Sequence, residues 1–156
     1  MSRKKAPKTP KSNRLLQAMI ILSLVGLAIA AYLALTYTQG QAPYCAGSGG
    51  CESVQTSQYA TIVAGITVPV LGVSGYITLL ALILLRGRVN EQIEFYLPLL
   101  TYGAALFGFL YSAYLTYLEA FVIEAWCYWC LASTVVMTVI WVLSIVDLRQ
   151  AWTRPQ

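Results

Sequence analysis

The chain has 156 residues, room for one domain. It is 58% hydrophobic and only 10% charged, where a soluble domain carries about 25% charged residues, so water is excluded as the solvent for most of its surface. The net charge of +4 comes from short basic clusters between apolar runs, a pattern of membrane topology rather than of nucleic-acid binding.

Residues 1–14 combine Lys and Arg with Pro and Ser and read as a disordered basic cytoplasmic tail. No charge occurs between Arg14 and Glu52, and a first span is expected over Leu15–Tyr37, since about 20 apolar residues cross a bilayer as helix. Its apolar run exceeds the roughly 7–15 residues of a cleavable signal, and three more spans follow, so it reads as a retained anchor. The long connection 38–68 opens on Gln39-Gly40-Gln41-Ala42-Pro43, a turn-forming stretch. Cys45 and Cys51 flank Ala46-Gly47-Ser48-Gly49-Gly50, a flexible bridge. From Ser53 to about Ile66, apolar Val54, Ile62, Val63 and Ile66 mix with Gln55, Ser57 and Gln58, which predicts a short helix on the membrane surface or capping the bundle. A second span is expected over Pro69–Leu85, the shortest of the set. The polar loop Arg86–Phe95 leads to a third span, Leu97–Leu118. The short connection Glu119–Trp126 makes the third span and the fourth, Cys127–Val146, antiparallel neighbours. Residues 148–156 read as a second cytoplasmic tail, leaving 15–147 as the catalytic domain.

All ten basic residues fall on one side of these spans: Arg3, Lys4, Lys5, Lys8, Lys11 and Arg14, then Arg86 and Arg88, then Arg149 and Arg154. That side is expected to be cytoplasmic, with both termini on it. The segments 38–68 and 119–126 carry only Glu52, Glu119 and Glu124 and are expected to face outward. The fold class is therefore an all-α membrane protein, a four-transmembrane-helix bundle with an extracytoplasmic loop or short helix cap between the first two spans. Gly65, Gly72, Gly75, Gly103 and Gly108 suit close helix packing in lipid. Tyr37, Tyr44, Tyr117, Trp126, Tyr128 and Trp129 read mostly as an outer aromatic belt.

Chemistry concentrates in the four cysteines, Cys45 with Cys51 and Cys127 with Cys130, all on the outer side, where disulfides persist. Two structural disulfides are the plainest reading, giving a non-enzymatic four-span protein. Against it, the Cys-X-X-Cys pair closes a very small ring and restricts the chain little. A zinc site would have to use cysteines alone, because the chain has no His, and an oxidising compartment disfavours it. Dithiol–disulfide exchange fits the geometry. Cys127 opens the last span, where a helix N-terminus stabilises a thiolate. Cys130 lies one turn deeper, toward lipid, so a pair that links water to a membrane-soluble quinone is expected. Trp129 and Leu131 are candidates for the quinone pocket, with belt and core as the plain alternative. A four-span transporter would need an acid within the membrane, and the first three spans hold no charged residue.

These residues carry a resemblance. Four spans, a cysteine pair in the first outer loop and Cys-X-X-Cys opening the last span resemble the vitamin K epoxide reductase family in its bacterial branch. The order Cys45…Cys51, Ser57, then Val68-Pro69-Val70-Leu71-Gly72 into the second span is similar too, and the likeness covers residues 15–147. It implies a thiol–quinone oxidoreductase of the bacterial inner membrane that supports disulfide bond formation. It implies that Cys51 exchanges with Cys127, that Cys45 faces the redox partner, that Cys130 reduces the quinone, and that Ser57 lies near the quinone ring. By residue pattern alone either Cys45 or Cys51 could reach Cys127. The implied acceptor is ubiquinone, menaquinone or a similar quinone, with no metal. The implied partner is a thioredoxin-like (DsbA-like) periplasmic protein, which some bacterial members carry as a fused C-terminal domain. As this chain ends at Gln156, the partner is expected outside it. Two positions depart from the animal enzymes: Val68 stands where they place a pocket Asn, and Thr134 where they carry a Tyr. Both count against epoxide reduction and leave quinone reduction, which needs only thiolates and a fitting pocket. The DsbB type of quinone-linked disulfide oxidase also has four spans and two pairs, but its Cys-X-X-Cys lies in the first outer loop, the reverse of the order here.

Overall fold

The computed structural model describes residues 10–41, 43–45, 50–61, 67–86 and 88–153, with side chains from Arg14 onward except at Glu91. Among the described residues there are five helices and no strand: α1 (Pro10–Thr38), α2 (Gly50–Thr56), α3 (Val68–Leu84), α4 (Glu91–Phe121) and α5 (Tyr128–Trp152). The four long ones form a membrane bundle in which α1 packs on α3 and α5, and α4 on α3 and α5, so the helices stand in a ring. Three are long and apolar enough to cross a membrane, and α3, at 17 residues, is a shorter apolar helix.

Outward faces confirm the solvent. Leu24, Leu35, Ile77, Phe107, Leu110 and Val135 are all at least half exposed, an arrangement only lipid tolerates. Inside, Met19, Ala30, Tyr76, Leu79, Met137 and Ile140 form the core. Small residues set the spacing. A Cβ on Gly72 would touch Ala30 at 3.5 Å, and one on Gly108 would press on the Met137 sulfur at 2.8 Å. Gly26 does the same for the Tyr76 ring. Gly75 and Gly103 have nothing within 4 Å, and Gly65 lies outside the described residues.

Helix ends depart from the expected spans for local reasons. The first helix begins at Pro10, whose fixed φ and missing N–H suit a first turn. It stops where Gly40 turns left-handed at φ 64°, letting the Gln41 N–H close back on the Thr36 carbonyl at 3.0 Å. The cap helix is shorter and earlier than expected, Gly50–Thr56 rather than Ser53 to Ile66. Ser57 ends it. Its hydroxyl and its N–H both turn back to the Val54 carbonyl, at 2.8 and 3.3 Å. Beyond it the chain is stitched to the head of α3, with the Val68 N–H on the Ala60 carbonyl at 3.0 Å and a bridge from Thr61 to Thr67. Residues 46–49, most of the Gly-rich bridge, and 62–66 lie outside the described residues.

The bundle has two unlike ends. Cysteines, α2 and the α4–α5 turn gather at one. At the other, Arg86 pairs with Asp147 of α5 at 2.6 Å, both side chains largely buried.

Candidate active site

Three elements converge at the cysteine end. The loop pair is bridged, Cys45 to Cys51, with Cα atoms 6.1 Å apart. Cys51 is 1% exposed on the first turn of α2, whereas Cys45 is only half-buried. The segment holding Cys45 is gripped from both flanking helices. Tyr32 of α1 accepts the Tyr44 N–H at 3.2 Å, and the Trp129 indole of α5 donates to the Tyr44 carbonyl at 2.9 Å. The two rings meet at 5.0 Å.

Below the loop sits the second pair, both thiols free. Cys127 is 2% exposed and caps α5 with its sulfur, which accepts the Cys130 N–H at 3.4 Å. The Cys130 thiol donates to the same sulfur at 2.7 Å. That hydrogen bond, followed by the backbone N–H groups of Cys130 and Trp129, outweighs burial and holds the Cys127 thiol below its usual range. That favours Cys127 over Cys130 as the thiol that ionises first. Loop and bundle touch one residue upstream of Cys51 and of Cys127. A Cβ on Gly50 would collide with the Trp126 carbonyl oxygen, with the Trp126 nitrogen at 3.1 Å. Only glycine lets the first turn of α2 lie this close to the head of α5.

Cys130 faces the other way. It lines a cavity of about 340 Å³ between the helices, together with Ser57, Tyr37, Leu71, Met137 and Glu119. The volume and the largely apolar wall, interrupted by polar side chains, are those of a small-molecule site. Cys130 and Ser57, far apart in sequence, meet in this wall, while Cys127 and Trp129 are absent from it. Trp129, expected beside a quinone, instead holds the loop at Tyr44.

Two wall residues stand outside the expectations. Glu119 was read as an outer-loop charge, yet it is 3% exposed in the last turn of α4 and accepts the Cys127 N–H at 3.3 Å. Tyr37 was read as belt, yet it faces the cavity near both thiols. The signal for Glu119 was positional: it is the acid eight residues before a cysteine that begins a helix, joined by a turn too short to carry it away. That turn is tight. The Ile123 N–H returns to the Leu118 carbonyl at 2.8 Å, and Glu124 adopts φ 54° to reverse the chain.

The sequence model of the vitamin K epoxide reductase family matches residues 17–145, most of the chain.

Proposed function

The chain belongs to the vitamin K epoxide reductase family, and from that premise we propose that it is a quinone-dependent thiol–disulfide oxidoreductase of a bacterial inner membrane. It takes two electrons from a thioredoxin-like, DsbA-like protein and passes them through Cys45 and Cys51, then Cys127 and Cys130, to a membrane quinone, so supporting disulfide bond formation. One observation carries the reading: the thiols of the second pair face different places. Cys127 follows Trp126, whose backbone abuts Gly50 beside Cys51, and Cys130 opens with Ser57 into an apolar cavity. The charge pattern supports placing the cysteine end outside the cytoplasm, with both termini inside.

The cavity suits a quinone ring. Its wall is mainly hydrocarbon, the Tyr37 hydroxyl can donate to a ring oxygen, and the Ser57 hydroxyl can do so by exchanging its bond to the Val54 carbonyl for one to the ring. A bound quinone supplies an acceptor for two electrons and two protons. Everything before that is cysteine chemistry. A partner thiolate attacks the more accessible Cys45, and Cys51 leaves as thiolate. The partner's second thiol then frees Cys45. Cys51 attacks the Cys127 sulfur of a Cys127–Cys130 disulfide, and Cys130 leaves into the cavity. Cys45 then attacks Cys51, releasing Cys127, whose thiolate the Cys130 hydrogen bond stabilises as a leaving group. The relay ends with the loop bridged and Cys127 and Cys130 free, the arrangement seen in the structure. Ser57 polarises the ring oxygen or the Cys130 sulfur from the cavity wall, and Trp129 keeps the Cys45 segment in place.

Anaerobic mixing of the purified protein with a reduced thioredoxin-like partner and a quinone, followed by absorbance, tests this directly. Quinol should form in step with partner oxidation. Cys130→Ala should abolish quinol formation, while Cys45→Ala with Cys130→Ala should accumulate a Cys51–Cys127 disulfide on mass mapping. Quinol formation by Cys130→Ala at the native rate would sink the assignment.

A further inference from the structure

The relay leaves one group without a task. Glu119 is 3% exposed. Among the described residues no basic side chain pairs with it, and the ion pair found there is Arg86 with Asp147 at the far end. A carboxylate withdrawn from water without a cation is costly, and in membrane proteins such groups stand where protons or ions move. Glu119 is surrounded by the redox centre instead. Its Oε2 accepts the Cys127 N–H at 3.3 Å, and it lines the cavity together with Cys130 and with Tyr37 from α1.

We propose that Glu119 is the proton acceptor for the Cys130 thiol during quinone reduction and delivers that proton into the cavity, a role that rests on the reading above and completes it. The reduced pair holds a thiolate on Cys127 and a thiol on Cys130, as the hydrogen bond from Cys130 to Cys127 allows. The Cys130 S–H bond breaks, the proton moves to a Glu119 carboxylate oxygen, and the electron pair stays on sulfur. The Cys127–Cys130 S–S bond forms, and the two electrons given up by the sulfurs reduce the quinone. Glu119 yields its proton to the reduced quinone and returns to carboxylate. The second proton comes from water, which earlier took the one lost by Cys127. Protons thus travel on the cavity side while the loop cysteines handle electrons on the aqueous side.

A carboxylate that merely latches the α4–α5 turn would also accept the Cys127 N–H. Glu119→Gln separates the roles, because the amide oxygen keeps that hydrogen bond and the base is gone. The full chain is reduced with a small dithiol and mixed with a short-chain benzoquinone, and quinol is followed by absorbance. Glu119→Gln should slow quinol formation about 100-fold, the usual loss for a positioned base. Glu119→Asp should restore part of it. Trapping of Cys51–Cys127 in the Cys45→Ala, Cys130→Ala background should proceed at its unmodified rate with Glu119→Gln added. Infrared difference spectra of the native chain, with and without isotope-labelled glutamate, should show a buried carboxyl changing protonation between oxidised and reduced states, and Glu119→Gln should remove that band. Native quinol formation in Glu119→Gln overturns the proposal. So does parallel loss of trapping and turnover, which would make Glu119 a latch. If Glu119→Gln does not fold, a native spectrum without a carboxyl change overturns it as well. Failure of the native chain to reduce the quinone would instead strike the relay, and the infrared band on dithiol reduction alone would still decide the role of Glu119.

Discussion

Among the described residues two acids are buried in this bundle, one at each end, and they are handled in opposite ways. Asp147 is 5% exposed and lies 2.6 Å from the Arg86 guanidinium, so the chain returning from α3 is clamped to α5. Glu119 is as deeply buried and has sulfur and a backbone N–H where Asp147 has a cation. Charge neutralised by charge ties a loop down and does nothing else. Charge left beside a thiol remains available for proton exchange. The contrast separates scaffold from site on physical grounds, with no appeal to motif.

The largest expected break in that contrast lies at the scaffold end. Asp147→Ala strands Arg86 and should cost about 3–5 kcal/mol of stability, measured by thermal unfolding in detergent, with quinol formation per folded molecule unchanged. Replacing both partners, Arg86→Met with Asp147→Leu, should recover most of that loss. Equal damage from the double and single variants would show that the pair is more than a clamp. A smaller effect is expected at the loop contact. Gly50→Ala drives a methyl into the Trp126 carbonyl and should slow Cys51–Cys127 trapping about tenfold, on the order of 1.4 kcal/mol, with dithiol-fed quinone reduction preserved. Loss of both activities would place Gly50 in the bundle's folding rather than in the relay. The mildest test is a pH profile. Because the Cys130 hydrogen bond lowers the Cys127 pKa, thiolate absorbance with the loop cysteines replaced by Ser should rise with a midpoint below the usual value of about 8.5. Cys130→Ala removes the main cause and should move the midpoint up. Identical midpoints would mean that the helix end alone sets it.

The scaffold was legible in the sequence because lipid imposes it. Uncharged runs between Arg14 and Glu52 or between Glu94 and Glu119 leave few alternatives to spanning helices. The four cysteines were legible for a similar reason, since their spacing carries the chemistry. Ser57 followed from a resemblance, and it lines the same cavity as Cys130. What escaped depended on direction rather than composition. Glu119 counts as a loop residue in any charge pattern, and only the reversal at Glu124 brings its carboxyl under the head of α5. Trp129 looks like a quinone neighbour from its place beside Cys130, but successive helical residues diverge by about 100°, so one faces the cavity and the other the loop. The cap helix was expected but its bounds escaped, because Ser57 spends its hydrogen bonds on the preceding turn.

The shortness of α3 has a consequence for the surrounding lipid. At 17 residues it is about 25 Å long, against a hydrocarbon core of about 30 Å. Its neighbours α1 and α4, at 29 and 31 residues, are longer than the core requires. One quarter of the ring is therefore mismatched, and acyl chains beside α3 must thin or bend to meet it. Cavity residues Leu71, Gly75 and Thr78 belong to that same helix. The bilayer is then most deformed alongside the helix that walls the cavity, and acyl-chain length becomes a control on how readily a lipid-borne molecule reaches it. Vesicles of graded chain length should change the apparent KM for quinone before they change the rate of thiol exchange at the loop.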